Sequence, residues 1–429
     1  MIELINPATI GILAGLISGC IPGIGNFAAL LILFPYLINL EPIQIIILYT
    51  SLTTISQYIG SIPAITFGIP GESSSMPAVI ESRKLKNSEQ IYQAIVGSAI
   101  GSTFGGLVVL ALTWLVLDYL IYTVHFFNTL VQSFLYCALL VAMVLIHKDN
   151  RYWVNVLLIM AGFGLGLIGY EKVTMTKIMT FDSHLLYQGL PMVVVVIVLL
   201  GIPEVLKNYN TKVNYKTFDF KPGKVSFKWI SNSWYSVLGF IGGLAPGLTT
   251  TMSSQLAWID AKSRNKTPVE TIVASETANN AGAFSQLIPL LLLGIPLIGS
   301  EALVLGLVES KGFRLDTTTF RDMFLIVGIC LVFLNIIGLC LAWPFAKHII
   351  KIFRINIKFL YVTILVVLFA VVVYVGFSNY QTVYYVLVSL ALMPLAYVLR
   401  RLDTMPLIFA FLVHDKMIDA GYRLVSLYW

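Results

Sequence analysis

Charge is the scarcest property of this chain. Only 11% of its 429 residues are Asp, Glu, Lys or Arg, while 58% are hydrophobic. A soluble domain carries about 25% charged residues, so there is too little polar surface here to meet water on every side. Cysteine is scarcer still. Cys20, Cys137, Cys330 and Cys340 all stand in apolar stretches without CxxC spacing, which excludes a disulfide framework and a zinc site and reads them as small core residues. The five histidines are scattered, so no metal and no proton relay is assigned to them. No HExxH motif, no paired intramembrane aspartates and no Gly-x-x-x-x-Gly-Lys-[Ser/Thr] phosphate loop occur, which argues against an intramembrane protease, any other embedded enzyme, or ATP hydrolysis within this chain. Basic residues sit in short connections and form no stripe, so nucleic acid is not a partner. The N-terminus lacks a basic n-region, and the first hydrophobic segment is expected to remain in the mature protein.

What the chain has instead is long apolar runs, such as Phe104 to Tyr122 and Phe359 to Phe377. Roughly 20 helical residues cross a hydrocarbon core of about 30 Å. Backbone groups in lipid must bond internally, and continuous runs without strict alternation exclude a barrel. The predicted class is therefore an all-α polytopic membrane protein, multi-pass, in a bacterial-type inner (plasma) membrane and bathed in membrane lipid.

The clearest break lies at residues 204–230, where Lys207, Lys212, Lys216, Lys221, Lys224 and Lys228 stand among Asn, Tyr and Pro. By the positive-inside rule this is a basic cytoplasmic linker. It divides the chain into residues 1–203, a first transmembrane repeat with following helices, and residues 231–429, a second.

The two parts share sequence. Gly15, Ile17, Gly19, Pro22 and Gly23 recur as Gly239, Ile241, Gly243, Pro246 and Gly247 at an offset of 224, and Ile62, Pro63, Gly68, Ile69 and Pro70 recur as Ile288, Pro289, Gly294, Ile295 and Pro296 at an offset of 226. Two blocks in near-constant register predict a two-fold internal repeat with broken helices and hairpins, the construction common in secondary transporters. The first hairpin connection is neutral to acidic (Asn39 to Pro42) and its counterpart carries Lys262, Arg264 and Lys266, which favours an inverted repeat; basic residues after both Gly-Ile-Pro segments pull the other way.

Pro-Gly inside a span frees backbone amides and carbonyls that something polar must satisfy. Small polar residues collect at these breaks: Ser73, Ser74 and Ser75 after the first Gly-Ile-Pro, and Thr249 and Thr250 after Pro246-Gly247. Hydroxyls and helix N-terminal amides can grip a carboxylate without a buried cation. Small residues that simply pack helices are the competing explanation. Glu276, Asn279 and Asn280 lie just before an apolar run, and intramembrane polar residues are functional candidates by default. At offset 226 they correspond to Thr50, Thr53 and Thr54. Glu72 and Glu301 stand near the two Gly-Ile-Pro breaks but are not equivalents; both are read as lying at a wet surface and are set aside.

Together, Pro22-Gly-Ile-Gly25, Tyr58-Ile-Gly-Ser-Ile62, Gly68-Ile-Pro-Gly71, Glu276-Thr-Ala-Asn-Asn-Ala281 and Gly294-Ile-Pro296 resemble the large permease subunit of tripartite tricarboxylate transporters. The resemblance covers about residues 11–106 and 238–306. It implies a secondary active transporter subunit that takes up a small organic carboxylate by alternating access, coupled to a cation (Na+ or H+) and needing no cofactor, with a small membrane subunit and a periplasmic solute-binding protein as partners. Carried onto this chain, the substrate-binding positions are Ser73, Ser74, Ser75, Thr249, Thr250, Asn279 and Asn280. Ion binding falls to Gly23, Thr53, Thr54, Gly247 and Glu276. One departure is Glu81-Ser-Arg-Lys84, where the family usually shows Asp-Gly-Tyr-Pro. A passive anion channel or a non-transporting scaffold on the same fold is the alternative.

Overall fold

A computed structural model describes residues 2–20, 25–68, 70, 72–124, 129–146, 150–170, 176–209, 221–244, 249–344, 346–348 and 357–428. Apart from a two-residue antiparallel ladder, Gly169↔Ile178 and Tyr170↔Lys177, regular structure in these residues is helical. Among the described residues, six helices are long and apolar enough to cross a membrane: Glu3–Cys20, Pro42–Phe67, Ser88–Leu115, Thr318–Ala342, Tyr361–Ser378 and Thr382–Leu399. The protein is an all-α polytopic membrane protein, as the apolar runs predict.

In chain order the helices are α1 (Ile2–Cys20), α2 (Asn26–Ile32), α3 (Phe34–Leu37), α4 (Pro42–Phe67), α5 (Met76–Ser82) after a 3₁₀ turn at Ser73–Ser75, α6 (Ser88–Leu115), α7 (Leu117–Thr123), α8 (Thr129–Ile146) and α9 (Tyr152–Gly166). Then come α10 (Met192–Val196), continued through a π turn into α11 (Ile202–Asn208), and α12 (Trp229–Leu244), α13 (Thr249–Ser263), α14 (Pro268–Ser285), α15 (Leu287–Leu293), α16 (Gly299–Ser310), α17 (Thr317–Ala342), α18 (Ile357–Ser378), α19 (Thr382–Leu399) and α20 (Met405–Tyr428). Glu204 to Asn208 belong to α11, so the first residues of the linker are helical.

Two helices are enclosed along their whole middle: Ile45–Ile65 of α4 and Thr271–Ser285 of α14. A helix buried all round belongs at the centre of a bundle, and these two carry the candidate polar residues. Glycine spacing explains how neighbours come so close. On α1, a Cβ at Gly11, Gly15 or Gly19 would stand 2.5, 2.5 and 2.7 Å from the Leu48, Leu52 and Ser56 carbonyl oxygens of α4. On α12, a Cβ at Gly239 or Gly243 would stand 2.4 and 2.2 Å from the Ala278 and Gly282 carbonyls of α14. Four-residue glycine spacing lays one helix backbone directly on another, the main source of attraction in lipid.

The central helices also exchange partners. α14 packs on α6, and α4 packs on α17. Phe284 of α14 covers Gly106 of α6, while Tyr58 of α4 covers Gly338 of α17; Tyr58 and Phe284 are the positions related by the offset of 226. Tyr58 further donates its hydroxyl to Asn335 Oδ1 at 2.6 Å.

α4 and α15 end alike. Gly68 (φ 65°, ψ 31°) and Gly294 (φ 60°, ψ 35°) are left-handed C-caps, a conformation that glycine adopts without the penalty other residues meet. The outer faces, for example Ile326, Ile329, Phe333 and Ile336 on α17, are exposed and apolar as lipid requires. Of the four cysteines read as core residues only Cys20 is buried; Cys137 and Cys340 are exposed and Cys330 is half-buried.

Candidate functional site: an unsatisfied polar seam between the central helices

α14 starts with a capping box. Thr267 accepts from the Glu270 amide while the Glu270 carboxylate accepts from Thr267 N at 3.0 Å, and Pro268 occupies the first turn. This fixes the helix phase, and phase determines which residues face inward. Thr277 and Val273 lie under Gly101, Gly105 and Gly97 of α6, whereas Ala278 and Gly282 face α12. Positions 276, 279, 283 and 286, related by three- and four-residue steps, share the remaining face. α14 also touches α5, the 3₁₀ turn and α4.

That face is buried and polar. Glu276 is 0%, Asn279 2% and Asn280 1% exposed. Oδ1 of Asn279, Oδ1 of Asn280 and Oε1 of Gln286 have no hydrogen-bond partner among the described residues, and the two carboxylate oxygens of Glu276 make no close hydrogen bond, with the Asn279 amide beside them. Asn280, at the α6 edge of the face, donates Nδ2 to Ser102 Oγ at 2.7 Å and to the Glu276 carbonyl at 3.3 Å. A backbone carbonyl only accepts, so this assigns the nitrogen and leaves Asn280 Oδ1 as the free end. Every unsatisfied atom in this group is an acceptor. A buried acceptor without a donor costs about 1–3 kcal/mol, and such groups are rare in folded proteins unless they meet a ligand or ion.

On α4 the matching turn carries Thr50, Thr53, Thr54 and Gln57, all buried. Thr50 and Thr53 donate back to the Ile46 and Tyr49 carbonyls at 2.8 and 2.9 Å, while Gln57 Oε1 is unpartnered. Tyr49 and Ser300 share a hydrogen bond of 3.3 Å between α4 and α16.

The 3₁₀ turn faces α13 and α14. Ser74 and Ser75 are buried; Ser254 of α13 donates to the Ser74 carbonyl at 2.6 Å, and Ser75 donates to the Glu72 carbonyl at 2.8 Å. Ser73 belongs to the turn, but its side chain lies outside the described residues. Thr249 and Thr250, both buried, open α13, with Thr249 held at φ 30°. Thus the serines of one Gly-Ile-Pro break and the threonines of the other half's break are brought to adjoining elements, beside the inward face of α14. Gly23 and Gly247, read as ion ligands, lie outside the described residues.

One reading is corrected. Glu301 is not at a wet surface: it is 0% exposed on α16, its Oε2 accepts the Leu297 amide at 2.7 Å, and its Oε1 has no close hydrogen-bond partner among the described residues. The α-helical start at Gly299 turns this carboxylate back over the irregular 294–298 segment, satisfying the amides that the Gly-Ile-Pro break leaves free. Glu72 is half-buried and is bonded by Asn26 at the start of α2. Gln57, Ser102 and Gln286 were not singled out from the sequence. Gln57 could have been found, because it falls one turn after Thr53 and Thr54 on the same face; Ser102 carries no signal until α6 is docked on α14.

A bundle of apolar helices around two buried helices, with unsatisfied carboxylate and amide oxygens at their centre, is the build of a polytopic membrane protein that handles a polar solute internally. The chain matches the model of the Tripartite tricarboxylate transporter TctA family over residues 6–409 and belongs to that family, a family of transporter subunits. A curated relative from Agrobacterium vitis, the "Uncharacterized 52.8 kDa protein in TAR-I ttuC' 3'region", is 28% identical over 326 residues, covering 71% of this chain and 63% of the relative. The chain therefore spans less than two thirds of that relative's length. No solved structure matches the chain.

Proposed function

We propose that the protein is the permease subunit of a secondary active carrier that moves a small di- or tricarboxylate across a bacterial-type inner membrane in symport with a cation. The observation that carries this reading is the inward face of α14, where Glu276, Asn279 and Asn280 present a surplus of buried acceptor oxygens and the Asn279 amide is the one donor beside the Glu276 carboxylate among the described residues. Acceptors repel a carboxylate and attract a hard cation. Asn279 and Asn280 therefore join Glu276 in the cation shell instead of the carboxylate shell. Donors lie opposite: the Ser74 and Ser75 turn and the first turn of α13 at Thr249 and Thr250, whose amides and positive dipole end suit an anion. Cation and carboxylate on adjoining walls neutralise each other in a medium of low dielectric, which gives a physical reason for their joint transport.

The paired left-handed caps at Gly68 and Gly294, and the reciprocal cover of Gly106 by Phe284 and Gly338 by Tyr58, support an inverted duplicated unit whose halves rock about α4 and α14. A small membrane subunit and a periplasmic solute-binding protein complete the system in this reading, and the basic linker faces the cytoplasm.

Thermal stability of the detergent-purified chain against mono-, di- and tricarboxylates, each with and without Na+, tests the proposal, because a ligand selective for the native state raises the melting temperature. A carboxylate-dependent rise enlarged by Na+, or by acid if the coupling ion is a proton, is the expected result. A carboxylate rise independent of both would refute coupling and favour a passive anion channel. No rise with any acid, in the presence of both cations, would refute the substrate class.

A further inference from the structure

Away from the central seam, the starts of α12 and α14 and the α13–α14 connection meet beside the N-terminal half of α6. Two joined hollows lie there. The wider one, about 780 Å³, is lined by Lys228, Trp229, Ile230, Trp234, Arg264 and Lys266 among others. The narrower, about 280 Å³, shares Lys228, Ser231 and Lys266 with it and runs inward to Tyr235.

The narrow hollow has the chemistry of an anion site. Tyr235 is 2% exposed; among the described residues its hydroxyl makes no close hydrogen bond, and Ser231 and the Asp260 carboxylate are its polar neighbours. Because Asp260 is drawn to Arg264 at 2.8 Å, the phenol lacks a well-placed acceptor and can donate to an anionic oxygen. Four cations line the hollows, Lys224, Lys228, Arg264 and Lys266, with Glu89 beside Gly223 and two further carboxylates, Asp260 and Glu270. Those two acids are engaged: Glu270 pairs with Lys228 and caps α14, and Asp260 holds Arg264 at 2.8 Å. Lys266 has no acidic partner among the described residues. The positive ends of α12 and α14 point to the same place.

The wide hollow has the opposite character and opens outward. Trp229, Ile230 and Trp234 are 59, 91 and 45% exposed, and Ile241 two turns further along α12 is 59% exposed. Trp229 is not loose: its ring lies edge-on to Phe104 and Phe227, with centroids 5.2 and 4.7 Å away. Tryptophan with an apolar face below and cations above is the composition of a membrane–water interface.

We propose that this notch binds an anionic phospholipid of the leaflet on which the basic linker lies. The phosphodiester sits in the narrow hollow between Tyr235, Ser231 and Lys266, Arg264 holds the headgroup at the mouth, and an acyl chain runs along Trp229, Trp234 and Ile241. A soluble phosphate would use the polar hollow but would leave the exposed aromatic wall without a role. Basic pockets between helices on the cytoplasmic side are the usual setting for such headgroups.

The test is thermal unfolding of the full chain reconstituted in phosphatidylcholine vesicles, with and without phosphatidylglycerol, beside a detergent sample titrated with inorganic phosphate. Phosphatidylglycerol is expected to raise the melting temperature where inorganic phosphate does not. Arg264→Gln with Lys266→Gln removes two cations and is expected to weaken the apparent lipid affinity about thirtyfold. Tyr235→Phe, which changes no packing volume to speak of, keeps the fold in view should the double variant fail to assemble, and is expected to reduce the lipid-induced rise. Equal melting temperatures in the two vesicles, a rise that survives both variants, or a rise reproduced by inorganic phosphate alone would each overturn the proposal.

Discussion

Replacing Asn280 by Leu separates the demands of folding from those of binding. In the native chain the Asn280 amide makes two hydrogen bonds, to Ser102 Oγ at 2.7 Å and to the Glu276 carbonyl at 3.3 Å, and leaves Oδ1 buried and unpartnered. Hydrogen bonds in membrane bundles average about 0.6 kcal/mol, so their loss removes roughly 1 kcal/mol. The unpaired oxygen costs about 1–3 kcal/mol, and leucine of similar volume relieves that cost. Ser102 is not stranded, since its hydroxyl also reaches the Glu276 carbonyl at 3.5 Å. The balance runs from neutral to about 2 kcal/mol more stable. Meanwhile the proposed cation shell loses one of its ligands. The expected signature is a melting temperature equal to or above that of the native protein, with the Na+-dependent part of the carboxylate response abolished. Melting curves and equilibrium binding of radioactive sodium, both in detergent, measure the two quantities on one sample. A variant that melts well below the native protein yet retains sodium binding would refute both the acceptor-surplus argument and the placement of Asn280 in the cation shell.

Close packing and capping give two further expectations. A Cβ at Gly105 would stand 2.4 Å from the Thr277 carbonyl of α14; because backbone cannot move aside as a side chain can, Gly105→Ala is expected to destabilise by about 1–3 kcal/mol, read as a lower melting temperature. At the exposed start of α17, Asp316 accepts from Thr318 Oγ1 at 2.6 Å and from the Thr318 and Thr319 amides at 2.9 and 3.3 Å. The Thr318 hydroxyl first, then those amides, hold its carboxyl below the usual carboxylate range. Its stabilising effect is therefore complete above the unfolded-state pKa of about 3.9 and disappears as pH falls through the lower native value. Asp316→Ala is expected to cost about 1 kcal/mol at neutral pH, and melting curves of the two proteins should converge in acid.

Much of the architecture was legible along the chain. Apolar runs need lipid whatever their neighbours are, so the membrane class followed from composition and run length. Positions of the Gly-Ile-Pro breaks were equally readable, because a left-handed cap at Gly68 or Gly294 is a local property of backbone and residue type. Glu276, Asn279 and Asn280 stood out since amides and acids inside an apolar chain are expensive wherever they fall. The offset of 226 pointed to Thr50, Thr53 and Thr54 as their counterparts.

Partners across space were not legible. The side of α14 that receives a residue depends on its phase against α6 and α12, which glycine contacts at Gly101, Gly105, Gly239 and Gly243 determine only once the helices are docked. The same docking showed that Asn280 leaves its oxygen and not its amide nitrogen free, since the nitrogen is occupied by Ser102 and by a backbone carbonyl. Glu301 was set aside because it stands near a Gly-Ile-Pro break without being the equivalent of Glu72, and only the turn of α16 over residues 294–298 buries it. Local chemistry thus determined which groups this protein places in its membrane interior. The tertiary structure decided which atoms of those groups are left unsatisfied, because satisfaction is a matter of distance between helices far apart in sequence.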